Sequence, residues 1–322
     1  MNTTSKTLTP SAPAGGFKPA KLGRWVLMGI GIFLLLTFAV VQVVPFVMTI
    51  ANSFKCLPAT REAPGAFIPS QFSFIDCRDE RGAALPLNQV ADGLTFKPSL
   101  EGYNQIAQYN FGLWFGNTIF YAVAVTVARV TLDSLAGYAL ARIPFPGRRA
   151  TFYLVLGTLM IPGVVLLIPR FIILRELGLL GTYQGVIIAL AADAFGIFLM
   201  KQFFESVPAE IEEAAMVDGA SRITIFWRII LPMATPALTA LTIFSFQGTW
   251  NNFMDVLIII GQKAELWNLP LGMAQLRGQF GDTLEWNTFL AGAVFTTLPM
   301  ALLFFFFQRY FVEGTAYSGL KG

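Results

Sequence analysis

The sequence predicts an all-α integral membrane protein with six transmembrane helices and an enlarged polar loop after the first. Of its 322 residues, 55% are hydrophobic and only 13% are charged. A soluble domain carries roughly a quarter charged residues to cover its surface. The second observation is recurrence: long runs with almost no charge follow one another along the chain. A helix needs about 20 apolar residues to cross the hydrocarbon core. The third is that these runs do not alternate, as barrel strands would.

The runs fall at 25–51, 111–141, 151–169, 184–200, 229–254 and 286–308. The first has no charged residue and reads as a signal anchor, since it is too long for a cleaved leader and has no A-x-A site. The segment before it, 1–23, is rich in Ser, Thr, Pro, Gly and Lys and reads as a disordered tail. The second run holds only Arg129 and Asp133, at i and i+4, where opposite charges pair and lower each other's cost in the bilayer. The fourth holds only Asp193, which has no local partner and is expected to face the path or a polar group on a partner subunit.

Lys and Arg in the short loops set orientation. With the N-terminus inside, the cytoplasmic segments hold Lys6, Lys18, Lys21, Arg24, Arg142, Arg148, Arg149, Lys201, Arg222, Arg228, Arg309 and Lys321. The short outer loops hold Arg170, Arg175, Lys263 and Arg277. Both termini are therefore expected in the cytoplasm. The loop 52–110 then lies outside, and "NQVADGLTFKPSLEGYNQIAQ" within it fits a short strand and a helix. Cys56 and Cys77 both fall there, where disulfides persist, so a bridge between them is one reading and two free thiols the other.

Several functions are poorly supported. The chain has no His, which removes the commonest general base and metal ligand. Two cysteines are too few for a structural zinc site, and no phosphate-binding G-x-x-x-x-G-K-[ST] occurs. The net charge of +3 gives no sign of nucleic-acid binding. No metal site and no catalytic residue is expected.

One charged module interrupts the apolar chain, "EIEEAAMVDGASRITIFWRIILPMATP" at 210–236. Residues 209–217 are good helix formers, Pro208 suits the helix start, and Glu210, Glu212 and Glu213 suit its positive end. Asp218-Gly219 ends the helix, with Gly219 able to turn left-handed, and Ser221 can cap a second helix leading into the fifth span. Ile211, Ala214, Ala215 and Met216 offer small apolar points for a groove on another protein. A solvated loop with ordinary caps is the plain alternative.

The spacing goes further. "EAAMVDG" precedes "IILP" by nine residues, and this resembles the signature of permease subunits of ATP-binding-cassette importers. The matching positions are Glu213, Ala214, Ala215, Gly219, Ile229, Leu231 and Pro232. "SLEGYNQI", "FGNTIFYA", "GYALARIPFPGRR", "ELGLLGTYQG" and "FQRYFVEGTAYSGLKG" resemble the carbohydrate-uptake branch, in particular the shorter maltose-importer permease. The resemblance covers about 99–322 and the first span, and the outer segment near 59–94 is longer than the branch leads one to expect. It implies the type I importer fold: a tail at 1–23, a first helix at 24–51, an extracytoplasmic loop at 52–110, a core at 111–310 with coupling helices near 208–230, and a cytoplasmic tail at 311–322. It implies a bacterial inner-membrane, non-catalytic subunit of a binding-protein-dependent transporter. The implied partners are a second permease in a heterodimer, two ATPase subunits that hold ATP and Mg, and an extracytoplasmic sugar-binding protein. The coupling set is Glu212, Glu213, Ala214, Ala215, Asp218, Gly219, Ile229, Leu231 and Pro232, with Glu213 facing an ATPase Arg or Lys. Gly314, Gly319, Lys321 and Gly322 belong to a tail that in this branch reaches between the ATPase subunits.

Gln247, Asn251 and Asp255 recur at i, i+4 and i+8 of the fifth run, beside Trp250 and Asn252. Amides, a carboxylate and an aromatic ring suit a sugar; the other reading is that they tie helices together. Arg170 departs from the branch, where the residue after this Pro is neutral. With the other outer cations it suits a uronate oligosaccharide, or else interfacial anchoring or contact with a binding protein. A neutral oligosaccharide is the favoured substrate. An ion-coupled secondary carrier is the alternative class, but such carriers are often built from repeats and no repeat is visible.

Overall fold

The computed structural model describes residues 21–280 and 285–319, with side chains for 25–277 and 285–307. Residues up to Met48 form one compact unit and Thr49 onward a second. In the first, α1 (Lys21–Ser53) begins a long helix whose 25–48 stretch leaves Trp25, Leu35, Phe38 and Val41 exposed. Such a surface is stable only in lipid or against other protein.

The second unit opens with a small lobe. It contains α2 (Leu57–Glu62), β1 (Ile68–Pro69), α3 (Leu87–Val90), β2 (Ala91–Asp92) and β3 (Thr95–Phe96). The strands order β1-β3-β2, with β1 parallel and β2 antiparallel to β3. Cys56 and Cys77 are joined by a disulfide, and with Val90, Phe96 and Ala59 they form the lobe's core. Lys55 is fully buried beneath it. Its ammonium donates to Asn52 Oδ1 at 2.7 Å and to the carbonyls of Ala63 at 2.8 Å and Pro64 at 3.3 Å, which uses its three protons. Burial pushes the Lys55 amine down to about 8.

After α4 (Glu101–Ile106), α5 (Phe111–Arg142) runs as one unbroken helix. Then come α6 (Arg148–Leu159), a 3-10 turn (Gly163–Leu166), α7 (Leu167–Glu176), α8 (Tyr183–Leu190), α9 (Ala194–Ser206) and α10 (Ala209–Val217). α11 (Arg222–Ile225) runs through a π turn (Phe226–Ile230) into α12 (Leu231–Met233), followed by α13 (Thr235–Trp250), α14 (Met254–Ile260), a 3-10 turn (Ala264–Leu266), α15 (Leu269–Phe280) and α16 (Trp286–Gly319). Glu101 stitches the lobe to α16, accepting from Leu57 N at 3.2 Å and Asn287 Nδ2 at 2.9 Å.

Among the described residues, three helices are long and apolar enough to span, and six spans result only if each of three bent pairs counts as one. α6 and α7 meet at 102°, α8 and α9 at 44°, and α11–α12 and α13 at 80°. The continuous third and fifth runs expected from sequence are thus broken. Pro162 explains the first break, because proline keeps its predecessor out of the helical region and lacks an N–H. Pro232 and Pro236 flank the break before α13.

Three apolar clusters organise the helical part, and two of them bear on the charged module and the fourth span. One joins Tyr138 on α5, Met200 and Phe204 on α9, Ala215 on α10, and Ile225, Phe226, Ile230 and Leu241 beyond. The other joins Tyr121 and Val125 on α5 with Leu174, Val186, Leu190, Val256 and Ile259. α5 runs through both. Gly137 lets α9 approach it closely: a Cβ there would lie 2.7 Å from Met200 Cβ.

Candidate coupling surface and translocation path

The charged module forms a knob. Pro208 leads into α10, whose first turn carries Glu210 and Glu212. The helix ends in a Schellman motif: Gly219 N donates to Met216 O at 3.0 Å and Ala220 N to Ala215 O at 3.0 Å. Gly219 has φ 85°, which a side chain would resist. Ser221 then caps α11, its Oγ accepting from Thr224 N at 3.2 Å.

The knob sorts its residues by direction. Glu212 is buried, 3.2 Å from Arg142 Nε, and accepts from Tyr138 OH at 3.2 Å. Arg142 also donates to the carbonyls of Phe204 and Val207, at the end of α9. Glu212, expected in the coupling set, is thus anchored inside this chain. Ala215 and Ile211 also turn inward, into the cluster shared with α5 and α9. Glu213, Ala214, Met216, Val217, Asp218 and Gly219 are exposed instead. The outward apolar points are Met216 and Val217, the latter 87% exposed. Ile229 and Leu231 are half-buried and Pro232 exposed where the module re-enters the bundle. Tyr138 and Arg142 escaped sequence reasoning as anchors, although their i, i+4 spacing at the end of α5 aims both at one place.

The polar residues of the fifth run do not share one helix face. The helix stops at Trp250, and Asn251 Nδ2 folds back onto Gln247 O at 3.1 Å. Trp250 is core: its Nε1 donates to Thr296 O at 3.1 Å and its ring packs on Phe115 and Phe246. Asn252 Nδ2 donates to Asp255 Oδ2 at 2.9 Å, while Asn268 Nδ2 holds the Asn252 carbonyl at 2.6 Å. Asp255 also pairs with Arg170 of α7. Trp250, Asn252 and Asp255 are thus bonded within the chain, and of these five residues only Gln247 and Asn251 have exposed side chains.

Of the four cations expected at an outer mouth, two meet a carboxylate within the chain. Arg170 binds Asp255, Arg175 lies 3.0 Å from Glu176, and Lys263 donates to Gly181 O at 2.9 Å, while Arg277 is exposed. A cavity of about 340 Å³ opens beside Arg170, lined by Leu166, Pro169, Ile173 and Ile188 among others, and is almost wholly apolar. Arg129 and Asp133 do not form the expected pair; each bonds to the backbone of the fourth span. Asn117, unremarked in the sequence, bridges Glu265 O and Trp267 O at 2.9 Å and accepts from Tyr183 OH at 2.7 Å. Gly314 and Gly319 lie in α16, whereas Lys321 and Gly322 fall outside the described residues.

Comparison with known proteins agrees with this architecture. Among solved structures, a bacterial transporter titled as involved in import of the acidic polysaccharide alginate superposes with a TM-score of 0.73. It is 24% identical and covers 92% of this chain and 100% of that one, a likeness of fold. The arabinooligosaccharides transport system permease protein AraQ of Halalkalibacterium halodurans is 37% identical over 209 residues, 65% of this chain and 74% of that protein. The diacetylchitobiose uptake system permease protein NgcG of Streptomyces coelicolor is 31% identical over 279 residues, 86% and 83% of the two chains. Residues 133–317 match the family described as the binding-protein-dependent transport system inner membrane component. The chain is therefore a member of that family, a non-catalytic inner-membrane permease subunit of ATP-binding-cassette importers.

Proposed function

We propose that this chain is one of two unlike permease subunits in an ATP-driven importer of neutral oligosaccharides. Both termini face the cytoplasm, and the exposed knob from Glu213 to Gly219 docks on an ATPase subunit that binds ATP and Mg. The observation that carries this reading is the sorting of the knob: Glu212 is held by Arg142 and Tyr138 of α5, and Arg142 in turn holds the end of α9, while Glu213 is exposed beside it. A surface built that way passes displacement to the spans, whereas a solvated loop absorbs it. Oligosaccharide cargo is supported by two relatives named for arabinooligosaccharides and diacetylchitobiose, although another is named for sn-glycerol-3-phosphate. Neutral cargo is favoured because Arg170 is engaged by Asp255 and offers an anion little free charge. The tail containing Gly314, Gly319, Lys321 and Gly322 contacts the ATPase subunits, and an extracytoplasmic binding protein delivers the sugar.

Reconstitution with the partner permease, ATPase and binding protein tests this. Vanadate-sensitive uptake of a neutral oligosaccharide is expected, and Glu213→Lys is expected to cut ATPase co-purification about tenfold, within the usual range for loss of a charge contact at an interface. Uptake that ignores vanadate and follows an ion gradient would instead identify a secondary carrier.

A further inference from the structure

The span made by α8 and α9 bends by 44° at 191–193, "AAD", with neither Pro nor Gly in the gap. Sharp bends without them come from a π-bulge or from an inserted side chain or water. The insertion comes from α5. Arg129 Nε donates to the carbonyl of Leu190, the last residue of α8, at 2.7 Å. Asp133 Oδ1 accepts from the backbone N–H of Asp193, the N-cap residue of α9, at 3.0 Å. Helix C-terminal carbonyls carry partial negative charge and N-terminal N–H groups partial positive charge. The cation therefore stands at the first helix's tail and the anion at the second's head. Backbone freed from a helix inside a membrane must be satisfied by protein, and these two side chains do so.

Gly196 makes room for the carboxylate: a Cβ there would stand 2.1 Å from Asp133 Oδ2. That oxygen is buried without a hydrogen-bond partner, an arrangement costly for any carboxylate. The break also divides the packing. α9 belongs to the cluster that holds α10, and Leu190 and Val186 of α8 to the cluster that holds Leu174 and Ile259. α9 is gripped by α5 at both ends, by Asp133 at Asp193 and by Arg142 at Phe204 and Val207.

We infer that Arg129 and Asp133 are positioning residues that keep the fourth span jointed at 191–193. Displacement of α10 and α9 then reaches α8 as a change of angle and not as the slide of a single rod. This rests on the reading of α10 as the ATPase-driven surface.

The test places spin labels at exposed Gln184 and Gln202 (Gln184→Cys, Gln202→Cys) in the assembled transporter, with partner chains free of reactive thiols. The labels lie about 27 Å apart along the helices, and the bridged Cys56 and Cys77 do not label. The variants are the swap Arg129→Asp/Asp133→Arg, which opposes both helix ends, Gly196→Ala, Asp133→Asn and the conservative Arg129→Lys. For the parent, one distance that shifts on vanadate trapping is expected. In the swap and Gly196→Ala the shift is lost and sugar moved per ATP falls about tenfold, while basal ATPase stays within about twofold; Arg129→Lys alone retains most of the shift and of the sugar moved per ATP. An unchanged distance shift and unchanged sugar per ATP in the swap overturn the inference. So does a parallel fall of uptake and basal ATPase with the distances intact, the mark of a merely structural pair. If the swap does not assemble, Asp133→Asn is judged by the same two readouts. A parent complex without ATP-driven uptake would defeat the proposed function instead, while its distances still report the joint.

Discussion

At Glu212 a carboxylate is enclosed by Arg142 and Tyr138, and at Glu213 the next one is open to a partner. Removing one member of a buried pair leaves the other uncompensated, which costs about 3–5 kcal/mol. Glu212→Ala is therefore expected to lower the melting temperature of the purified complex and speed proteolysis at α10, while Glu213→Ala leaves both unchanged. Lys55 makes a second prediction. Its folded value of about 8 lies below the usual 10.5, so the folded lobe is penalised for holding that proton below pH 8. The penalty fades, and the lobe gains stability, as pH rises from 8 toward 10.5. Lysine Cε NMR on the intact protein should show one resonance titrating near pH 8, lost in Lys55→Met. At this scale residue type was legible and direction was not. The acidic helix start announced a partner surface, but which of two adjacent glutamates faces it depends on where Arg142 of another helix arrives.

The knob depends on Gly219 turning left-handed with open space around it, so Gly219→Ala adds backbone strain alone, about 1–2 kcal/mol. Faster hydrogen exchange at 216–221 with the rest of the bundle unaffected is the expected result. The helix, turn and capped second helix of this module were readable because each signal is local. The bend between α8 and α9 was not, since its cause sits on α5, some sixty residues away by the bonds it makes. The i, i+4 spacing of Arg129 and Asp133 suggested pairing within one helix; the exposed backbone of a neighbour competes for both charges. Gln247, Asn251 and Asp255 looked like one face only while the helix was taken as unbroken. The end of α13 at Trp250 turns them apart.

For the whole molecule, hydropathy counted the spans correctly only if the bent pairs are taken as single crossings. Composition reports burial in lipid and is indifferent to the bends within it. Substrate choice is the property least written in the chain, because its polar groups mostly serve its own architecture. Uptake of a neutral oligosaccharide should therefore outpace a uronate analogue, and replacing Arg170 and Asp255 together with Gln and Asn should be milder than replacing Arg170 alone, as a thermal-shift double-mutant cycle would show. The lobe carries a different consequence. Its disulfide closes a separation of 21 residues, which corresponds to about 3 kcal/mol of restricted unfolded chain. On the proposed orientation that bond forms only after the segment has been exported and oxidised. That orientation therefore puts a checkpoint of biogenesis on the far side of the membrane, and cells lacking thiol oxidation there are expected to accumulate a subunit that inserts normally but matures poorly.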